Sequence, residues 1–305
     1  MKLFSLPNLF TLGNLFCGCL GIVFAFQGDL VWAAYLVGIA AVLDFLDGFV
    51  ARIMNVHSPL GKQLDSLADM TTFGVLPGVM MFQLMNLSIT GGRSLDYQWL
   101  YPHADQFGSL WVHHNQPPNA WPCYAAFLLT LFSALRLAKF NVDTRQTDSF
   151  IGVPTPANTI LIASFPLILM FGYEQEVFRY VVQQQTLSDA GRYIAADARA
   201  AADGMSYAAL QEVPLIVKML LNYWFLFGVT VIMSFLLIAE LPLFALKFKS
   251  FGWKGNEIRY IFLALSVALI ALLQFTGIPL VIVLYILLSV VDNLLNKKSP
   301  PQAAQ

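Results

Sequence analysis

Four aspartates lie within the segment LDFLDGFVARIMNVHSPLGKQLDSLADM at residues 43–70. Asp44 and Asp47 lie near the end of one strongly apolar segment, and Asp65 and Asp69 lie near the start of the next. Charged groups at membrane depth cost free energy and usually have a function. Four such groups close together therefore make this segment the first candidate for a chemically active site.

The spacing of the acids predicts two carboxylate-bearing helix faces. Side chains three or four residues apart align on one face of a helix. The residues that share these faces are Asp44, Asp47 and Ala51 on the first helix, and Gly61, Asp65 and Asp69 on the second. Only the short connection NVHSPLG joins the two helices. They must therefore run antiparallel, which brings both acid pairs to a similar depth near one membrane surface.

Facing carboxylates repel one another unless some are protonated or cations neutralise them. Oxygen-only ligands suit the hard divalent cations magnesium, manganese and calcium. Four carboxylates can hold one such ion, or two with shared ligands, and two ions can bind a diphosphate and stabilise charge on its entering and leaving groups. The alternative, a set of structural ion pairs or a proton path, accounts poorly for four acids at these spacings.

Small residues and one arginine accompany the acids. Small side chains let another helix or a ligand approach the backbone closely, and a guanidinium offers a fork of donors to phosphate. The residues concerned are Gly48, Ala51, Gly61 and Arg52.

The composition predicts a membrane protein. Hydrophobic residues make up 58% of the 305 residues and charged residues only 11%, which is too apolar for an ordinary soluble domain. The net charge of −1 implies no nucleic-acid partner. We expect an all-α polytopic helix bundle in the lipid bilayer, with residues 1–305 as a single membrane domain. About eight apolar runs approach the roughly 20 residues that a span requires: 9–27, 30–54, 62–86, 120–139, 157–174, 215–239, 257–273 and 275–293.

Basic residues predict the orientation of the bundle. With eight spans and the N-terminus in the cytoplasm, twelve of the 17 lysines and arginines fall on the cytoplasmic side. This bias follows the positive-inside rule. Both termini and the four acids are then cytoplasmic, and residues 87–119 and 175–214 form external loops.

A polar stripe precedes the first span. In LPNLFTLGNLF, Asn8, Thr11 and Asn14 recur at every third residue among Leu and Phe. The interpretation favoured by spacing alone is an N-terminal interfacial helix at the membrane surface. The alternative is that Asn8 and Thr11 line a polar pocket.

The acids also belong to a longer pattern, D-G-x2-A-R-x8-G-x3-D-x3-D, that runs from Asp47 to Asp69 with Asp44 three residues ahead. This pattern resembles the signature of the CDP-alcohol phosphatidyltransferase family. The resemblance implies a homodimer with two divalent ions, Mg or Mn, bound by the four acids, and with Asp69 also acting as general base. It further implies that four residues border the CDP moiety: Gly48, Ala51, Arg52 and Gly61.

Several flanking stretches resemble the membrane-embedded phosphatidylserine synthases of that family: PNLFTLGNLFCG, SLADMTTFGVLPG, SALRLAKFNV and FIGVPTPAN. The resemblance covers residues 3–175, the expected catalytic core, and implies CDP-diacylglycerol and L-serine as substrates. The alternatives are glycerol 3-phosphate, an inositol phosphate or choline as acceptor. A cation transporter is disfavoured because the acids cluster towards one face, beside Arg52 and Lys62, which would repel a cation.

Two further groups are candidates for acceptor binding. Arg136 and Lys139 place positive charge on the side of the acids, where they either contact a phosphate or the carboxylate of serine, or only anchor the helix end. The FIGVPTPAN loop helps to form the acceptor pocket in the similar enzymes. That resemblance implies roles for Pro154, Thr155 and Asn158.

Overall fold

A computed structural model describes residues 5–54, 58–90, 121–142, 150–172, 215–244, 252–253 and 256–296 of the chain. These residues are almost entirely helical, which confirms the predicted all-α class. The two predicted external loops fall almost wholly outside the described residues. Residues 87–90 are the exception and continue a helix.

Ten α-helices are present in the described residues: α1 (Leu6–Phe26), α2 (Leu30–Ile53), α3 (Pro59–Asp69), α4 (Leu76–Thr90), α5 (Leu128–Val142), α6 (Thr155–Leu167), α7 (Leu215–Leu220), α8 (Tyr223–Ile238), α9 (Glu257–Leu273) and α10 (Gly277–Asn296). A π-helical turn, Met70–Val75, joins α3 to α4, and another, Ile168–Gly172, extends α6. Single 3-10 segments precede α5 and α10: Trp121–Phe127 and Gln274–Thr276.

The helices account for the predicted membrane spans. Five stretches have the length and apolar composition needed to cross a bilayer: Leu6–Phe26, Leu30–Ile53, Pro59–Ile89, Trp121–Val142 and Glu257–Leu294. The last stretch contains both α9 and α10. Two shorter apolar helices, Thr155–Phe171 and Tyr223–Ile238, complete the set. Within the described residues every predicted apolar run is thus helical, as expected for a polytopic membrane bundle, but the run 215–239 contains two helices, α7 and α8.

Local sequence signals set the starts of the first three helices. Ser5 caps α1 with Pro7 in its first turn, Asp29 caps α2, and Ser58 caps α3 ahead of Pro59. Side-chain oxygens at this position accept hydrogen bonds from backbone N–H groups that the helix leaves unpaired. The Ser58 Oγ accepts from the Gly61 N–H at 2.9 Å, so α3 begins at Pro59, nearly two turns before Asp65.

The predicted interfacial segment is not a separate element. Residues 6–26 form one continuous helix, in which Asn8, Thr11 and Asn14 are buried. The helix packs against α2, α3 and the π-turn Met70–Val75. The polar stripe therefore faces protein, and the expectation of a helix lying at the membrane surface was wrong.

The helix that carries Asp65 and Asp69 continues into the centre of the bundle. About 72% of the apolar window of Pro59–Ile89 is buried, compared with 33% for α1 and for α2. Phe73, Leu76 and Met80 are fully buried within it. This central position makes the segment the element on which the neighbouring helices pack.

The π-turn directly follows Asp69, and threonines of neighbouring helices bond to its carbonyl groups. The Thr159 Oγ1 of α6 donates to the Phe73 carbonyl at 3.0 Å, and the Thr130 Oγ1 of α5 donates to the Gly74 carbonyl at 3.0 Å. Hydroxyl donors of this kind satisfy backbone groups that irregular helical turns release inside membranes. The π-turn is thereby fixed to α5 and α6, the two helices that carry the predicted acceptor residues.

One short strand pair joins the two halves of the chain. Strand β1 (Phe150–Ile151) pairs antiparallel with β2 (Pro242–Leu243). No local alternation in the sequence predicts either strand, since each has only two residues.

Candidate functional site

Three of the four aspartates converge between α2 and α3. One carboxylate oxygen from each of Asp44, Asp47 and Asp65 lies within 4.8 Å of the other two. Asp47 is buried, with 7% of its surface exposed, and the other two are half-buried. The predicted approach of acids from two successive helices is therefore observed for these three aspartates.

Asp69 lies one helical turn beyond Asp65 and beside the same cluster. Its carboxyl group neighbours that of Asp44, with which it interacts. Two carboxyl groups so close together require a shared proton or a cation between them. The Asn14 Nδ2 also donates to the Asp69 Oδ1 at 3.3 Å, so Asp69 has a fixed orientation towards the acids of α2.

Helix α1 supplies hydrogen-bond donors to the acids. The Thr11 Oγ1 lies 2.7 Å from the Asp47 Oδ2, to which it donates, and 3.2 Å from the Pro7 carbonyl. Asn14 contacts Asp69. These contacts match the alternative interpretation of the polar stripe, in which it lines a pocket. Asn14 was not among the predicted site residues, although its place in the every-third-residue pattern was the signal for it.

The two glycines of the signature have different surroundings. A Cβ added to Gly61 would lie 3.1 Å from the Ser58 Oγ and 3.3 Å from the Asn8 Oδ1, so Gly61 permits close packing of α3 on α1. A Cβ added to Gly48 would meet only the Arg52 Nη2, at 4.0 Å. Helix packing therefore explains Gly61 but does not explain Gly48.

Ala51 and Arg52 lie in the last turns of α2. Ala51 is half-buried and Arg52 is exposed. The Arg52 Nε donates to the Gly48 carbonyl at 2.8 Å, which folds the guanidinium back along the helix over Gly48. The face at Gly48 is thus open apart from this guanidinium, on the helix that also carries Asp44 and Asp47.

Arg136 and Lys139 of α5 have distinct environments. Arg136 is buried, with 7% of its surface exposed, and interacts electrostatically with Asp69. Its guanidinium carbon lies 5.9 Å from the centre of the Phe140 ring. Lys139 is instead paired with Glu240, at 3.2 Å from Nζ to Oε1.

The FIGVPTPAN loop leads into α6, where Pro154 occupies the N-cap position. Thr155 and Asn158 in the first turn are both buried. Thr159, one turn after Thr155, donates a hydrogen bond to the π-turn that follows Asp69. The structure therefore places the start of α6 against the π-turn that directly follows Asp69.

The ligand atoms that the acidic cluster offers fit a hard divalent cation. Asp44, Asp47 and Asp65 offer oxygen ligands only, and their mutual distances allow one ion to contact all three. The Thr11 hydroxyl orients one of these ligands, as hydrogen-bonding partners commonly do around metal sites. The residues present thus form a site suited to such a cation.

Comparison with known proteins identifies the family of the chain. Residues 4–188 match the profile of the CDP-alcohol phosphatidyltransferase family. The match covers more than half of the chain and includes all four acids. The chain therefore belongs to the CDP-alcohol phosphatidyltransferase family.

Three similar proteins illustrate the relationship. The CDP-diacylglycerol–serine O-phosphatidyltransferase of Helicobacter pylori (strain J99) is 33% identical over 162 residues, which are 52% of this chain and 56% of that protein. The Bacillus subtilis protein of the same name is 29% identical over 174 residues, 55% of this chain and 81% of that protein. The archaetidylserine synthase of Methanothermobacter thermautotrophicus is 29% identical over 166 residues, which are 53% of this chain and 58% of that protein. The chain thus spans little more than half the length of the Helicobacter and Methanothermobacter proteins.

Replacing Thr11 by Val tests whether α1 orients the metal ligands. The substitution keeps the shape of the side chain but removes the hydrogen bond to Asp47. Loss of such a supporting partner typically weakens metal affinity about 10- to 100-fold. We expect the dissociation constant for Mn²⁺, measured by the paramagnetic resonance of free Mn²⁺ in detergent, to rise within that range.

The matched control is Thr230→Val on α8, where a buried threonine hydroxyl bonds to the Leu226 carbonyl far along the chain from the acids. The control should bind Mn²⁺ as the wild type does. Equal Mn²⁺ affinity for Thr11→Val and wild type would contradict a metal-orienting role for Thr11.

Proposed function

We propose that this protein transfers a phosphatidyl group from CDP-diacylglycerol to L-serine, giving phosphatidylserine and CMP. Family membership supports the reaction class. The names of the three relatives, which all contain serine, support the acceptor. The apolar helices around the acids agree with a lipid substrate whose acyl chains stay in the bilayer.

The four acids would hold the diphosphate of the nucleotide through divalent cations. Asp44, Asp47 and Asp65 would be ligands, and Asp69 would complete a site for two ions, Mg or Mn. Such ions would neutralise the diphosphate and stabilise the charge that develops on it. The open face at Gly48 would receive the CDP moiety, with Ala51 and Gly61 at its border and Arg52 available to a phosphate oxygen.

A cluster of unpartnered buried polar groups carries the acceptor assignment. Buried polar atoms almost always have hydrogen-bond partners. Within the described part of the chain, however, several buried atoms around the π-turn after Asp69 have none. They are Asn14 Oδ1, Ser133 Oγ, Arg136 Nε, Thr155 Oγ1 and both side-chain polar atoms of Asn158. This concentration supports a pocket for a small, highly polar ligand.

L-Serine has the chemistry that such a pocket needs. Its carboxylate would be bound by Arg136, because guanidinium and carboxylate form strong charge-assisted hydrogen bonds. Its ammonium and hydroxyl would find acceptors and donors on Asn158 and Thr155. Lys139 and Pro154 stay predictions as direct contacts, because Lys139 is paired with Glu240 and Pro154 forms the cap of α6.

In the proposed reaction, Asp69 takes the proton from the serine hydroxyl. The serine oxygen forms a bond to the phosphorus that carries diacylglycerol, and the bond from that phosphorus to the bridging oxygen of CMP breaks. CMP leaves with its charge balanced at the acidic site and by Arg52. The Asn14 hydrogen bond holds the Asp69 carboxylate in place, since a general base depends on geometry before basicity.

We further propose that the site opens to the cytoplasm and that both termini lie there. The bias of lysine and arginine supports this orientation. Residues 1–305 would form one membrane domain with a catalytic core over residues 3–175. The homodimer implied by the family resemblance stays a prediction.

Release of CMP from CDP-diacylglycerol by the purified protein in detergent tests the proposal. Serine, glycerol 3-phosphate, inositol phosphate and choline are supplied separately, with Mn²⁺ or Mg²⁺, and with a chelator as control. We expect release with serine alone, abolished by the chelator because the acids need a cation to bind the diphosphate. Release with another alcohol alone would discard serine and keep the reaction class. Folded protein that releases no CMP with any acceptor would contradict the enzyme assignment.

The same assay includes Asp69→Asn and its matched control Asp29→Asn. General base catalysis contributes about 10²- to 10⁴-fold, so Asp69→Asn should lose activity in that range while it retains wild-type thermal stability. Asp29 caps α2, and asparagine caps helices equally well, so the control should stay active. Near-normal turnover by Asp69→Asn would contradict the base assignment.

Replacing Gly48 by Ala tests the proposed CDP face. Alanine in a helix interior is more stable than glycine by about 0.5–1 kcal/mol, and no protein atom opposes the new methyl closely. We expect unchanged or higher thermal stability together with a raised KM for CDP-diacylglycerol. Gly38→Ala, on the same helix with nothing within 4 Å, should share the stability effect and keep the KM. Equal KM values for the two variants would argue against nucleotide contact at Gly48.

A further inference from the structure

The C-terminal half of the chain is bonded to the loop that leads into the acceptor pocket. Residues 236–243, the strap, comprise the last turn of α8 and the residues up to the end of β2. Strand β2 pairs with β1 in the register Phe150↔Leu243 and Ile151↔Pro242. Two more backbone hydrogen bonds continue the contact: Gly152 N–H to the Leu241 carbonyl and Val153 N–H to the Leu236 carbonyl, both at 3.0 Å.

Gly152 allows this close approach. Its φ of +76° is a backbone conformation that residues with a side chain rarely adopt. A Cβ added there would lie 2.5 Å from the Leu237 carbonyl oxygen and 3.1 Å from that of Ala239. Both obstructing atoms are backbone atoms of the strap, so any side chain at this position would push the loop and the strap apart.

The strap is itself anchored from behind. Leu243 is fully buried in the main hydrophobic core. The Asn293 Nδ2 of α10 donates to the Pro242 carbonyl at 2.6 Å, and the Tyr285 hydroxyl of α10 donates at 3.0 Å to the carbonyl of Phe244, the residue that follows the strap. The C-terminal helix therefore supports the strap.

The strap also contacts the second element of the pocket. Glu240, within the strap, accepts a hydrogen bond from Lys139 at 3.2 Å, and Lys139 follows Arg136 by one turn on α5. The strap thus bonds to α5 just beyond Arg136 and to the loop just before Thr155. It lies beyond the stretch 4–188 that matches the family profile.

We propose that the strap positions the acceptor pocket by fixing the distance between the start of α6 and the end of α5. This inference rests on the proposed function, because it assigns the strap to acceptor binding. Glu240 and Gly152 are positioning residues: neither is placed in contact with substrate. Lys139 then acts through Glu240. The exposed Lys139–Glu240 ion pair contributes less to holding the strap in place than the four backbone contacts do.

Gly152→Ala tests the proposal, with Gly228→Ala on α8 as matched control because a Cβ on Gly228 meets nothing within 4 Å. Steady-state kinetics in detergent give the KM for serine, the KM for CDP-diacylglycerol and kcat. We expect Gly152→Ala to raise the KM for serine about fivefold or more, since it displaces groups that would bind the acceptor. The KM for CDP-diacylglycerol should stay within about twofold of wild type.

A second variant keeps the test independent of the folding of Gly152→Ala. Glu240→Gln removes an exposed charge and should raise the KM for serine about twofold, the effect of losing a surface ion pair. Glu240→Asp, which retains the charge, should recover part of that loss. Hydrogen exchange at the Gly152 and Val153 amides, measured by mass spectrometry, should be faster in Gly152→Ala than in Gly228→Ala.

The outcomes separate this inference from the proposed function. A serine KM that is the same in Gly152→Ala as in its control would overturn the positioning role. A fall in kcat together with equal rises in the KM for serine and the KM for CDP-diacylglycerol would overturn it too. Faster amide exchange with unchanged kinetics would overturn it as well. If the wild type uses another alcohol, the serine assignment fails and the strap is judged by the KM for that alcohol. Wild-type protein with no transfer to any alcohol would remove both proposals.

Discussion

The mutual repulsion of four carboxylates inside a helix bundle is the constraint on which the rest of this structure depends. Burying a charge without a partner is strongly unfavourable, and three of these groups lie within 4.8 Å of one another. The protein meets part of this cost with hydrogen-bond donors from α1, namely Thr11 and Asn14. The remaining charge calls for a cation. The site is therefore suited to a divalent cation, and the proposed reaction requires that cation to bind a diphosphate.

The packing around the acids follows from the same constraint. Helix α1 must approach α3 closely for its polar stripe to contact the acids, and Gly61 permits that approach. The π-turn after Asp69 lies against α5 and α6, whose threonines satisfy its carbonyl groups. The acids of α3 and the contacts to α5 and α6 thereby lie on one central segment, with the acids of α2 beside Asp65.

Sequence alone predicted the part of the site that has a fixed local spacing. Apolar runs located the helices, and intervals of three and four residues placed Asp44 with Asp47 and Asp65 with Asp69 on shared faces. The stripe of Asn8, Thr11 and Asn14 was equally regular, but regularity does not say whether a polar face contacts a membrane surface or protein. Its assignment as an interfacial helix was wrong because the partner, the acids of α2 and α3, is distant in sequence.

Other features left no local pattern to interpret. The π-turn is one irregular turn within a continuous apolar run, and the β1–β2 pair joins segments about 90 residues apart with two residues each. Gly48 and Gly61 look alike in sequence, and only their neighbours distinguish a glycine required by packing from one that leaves a face open.

The most direct test of the central claim is anomalous X-ray diffraction from crystals of the protein grown with Mn²⁺. The account predicts anomalous density between α2 and α3, within ligand distance of oxygens of Asp44, Asp47 and Asp65, with a second peak at Asp69 if two ions bind. Well-ordered crystals with no anomalous density at these acids, at Mn²⁺ concentrations that saturate the protein in solution, would contradict it.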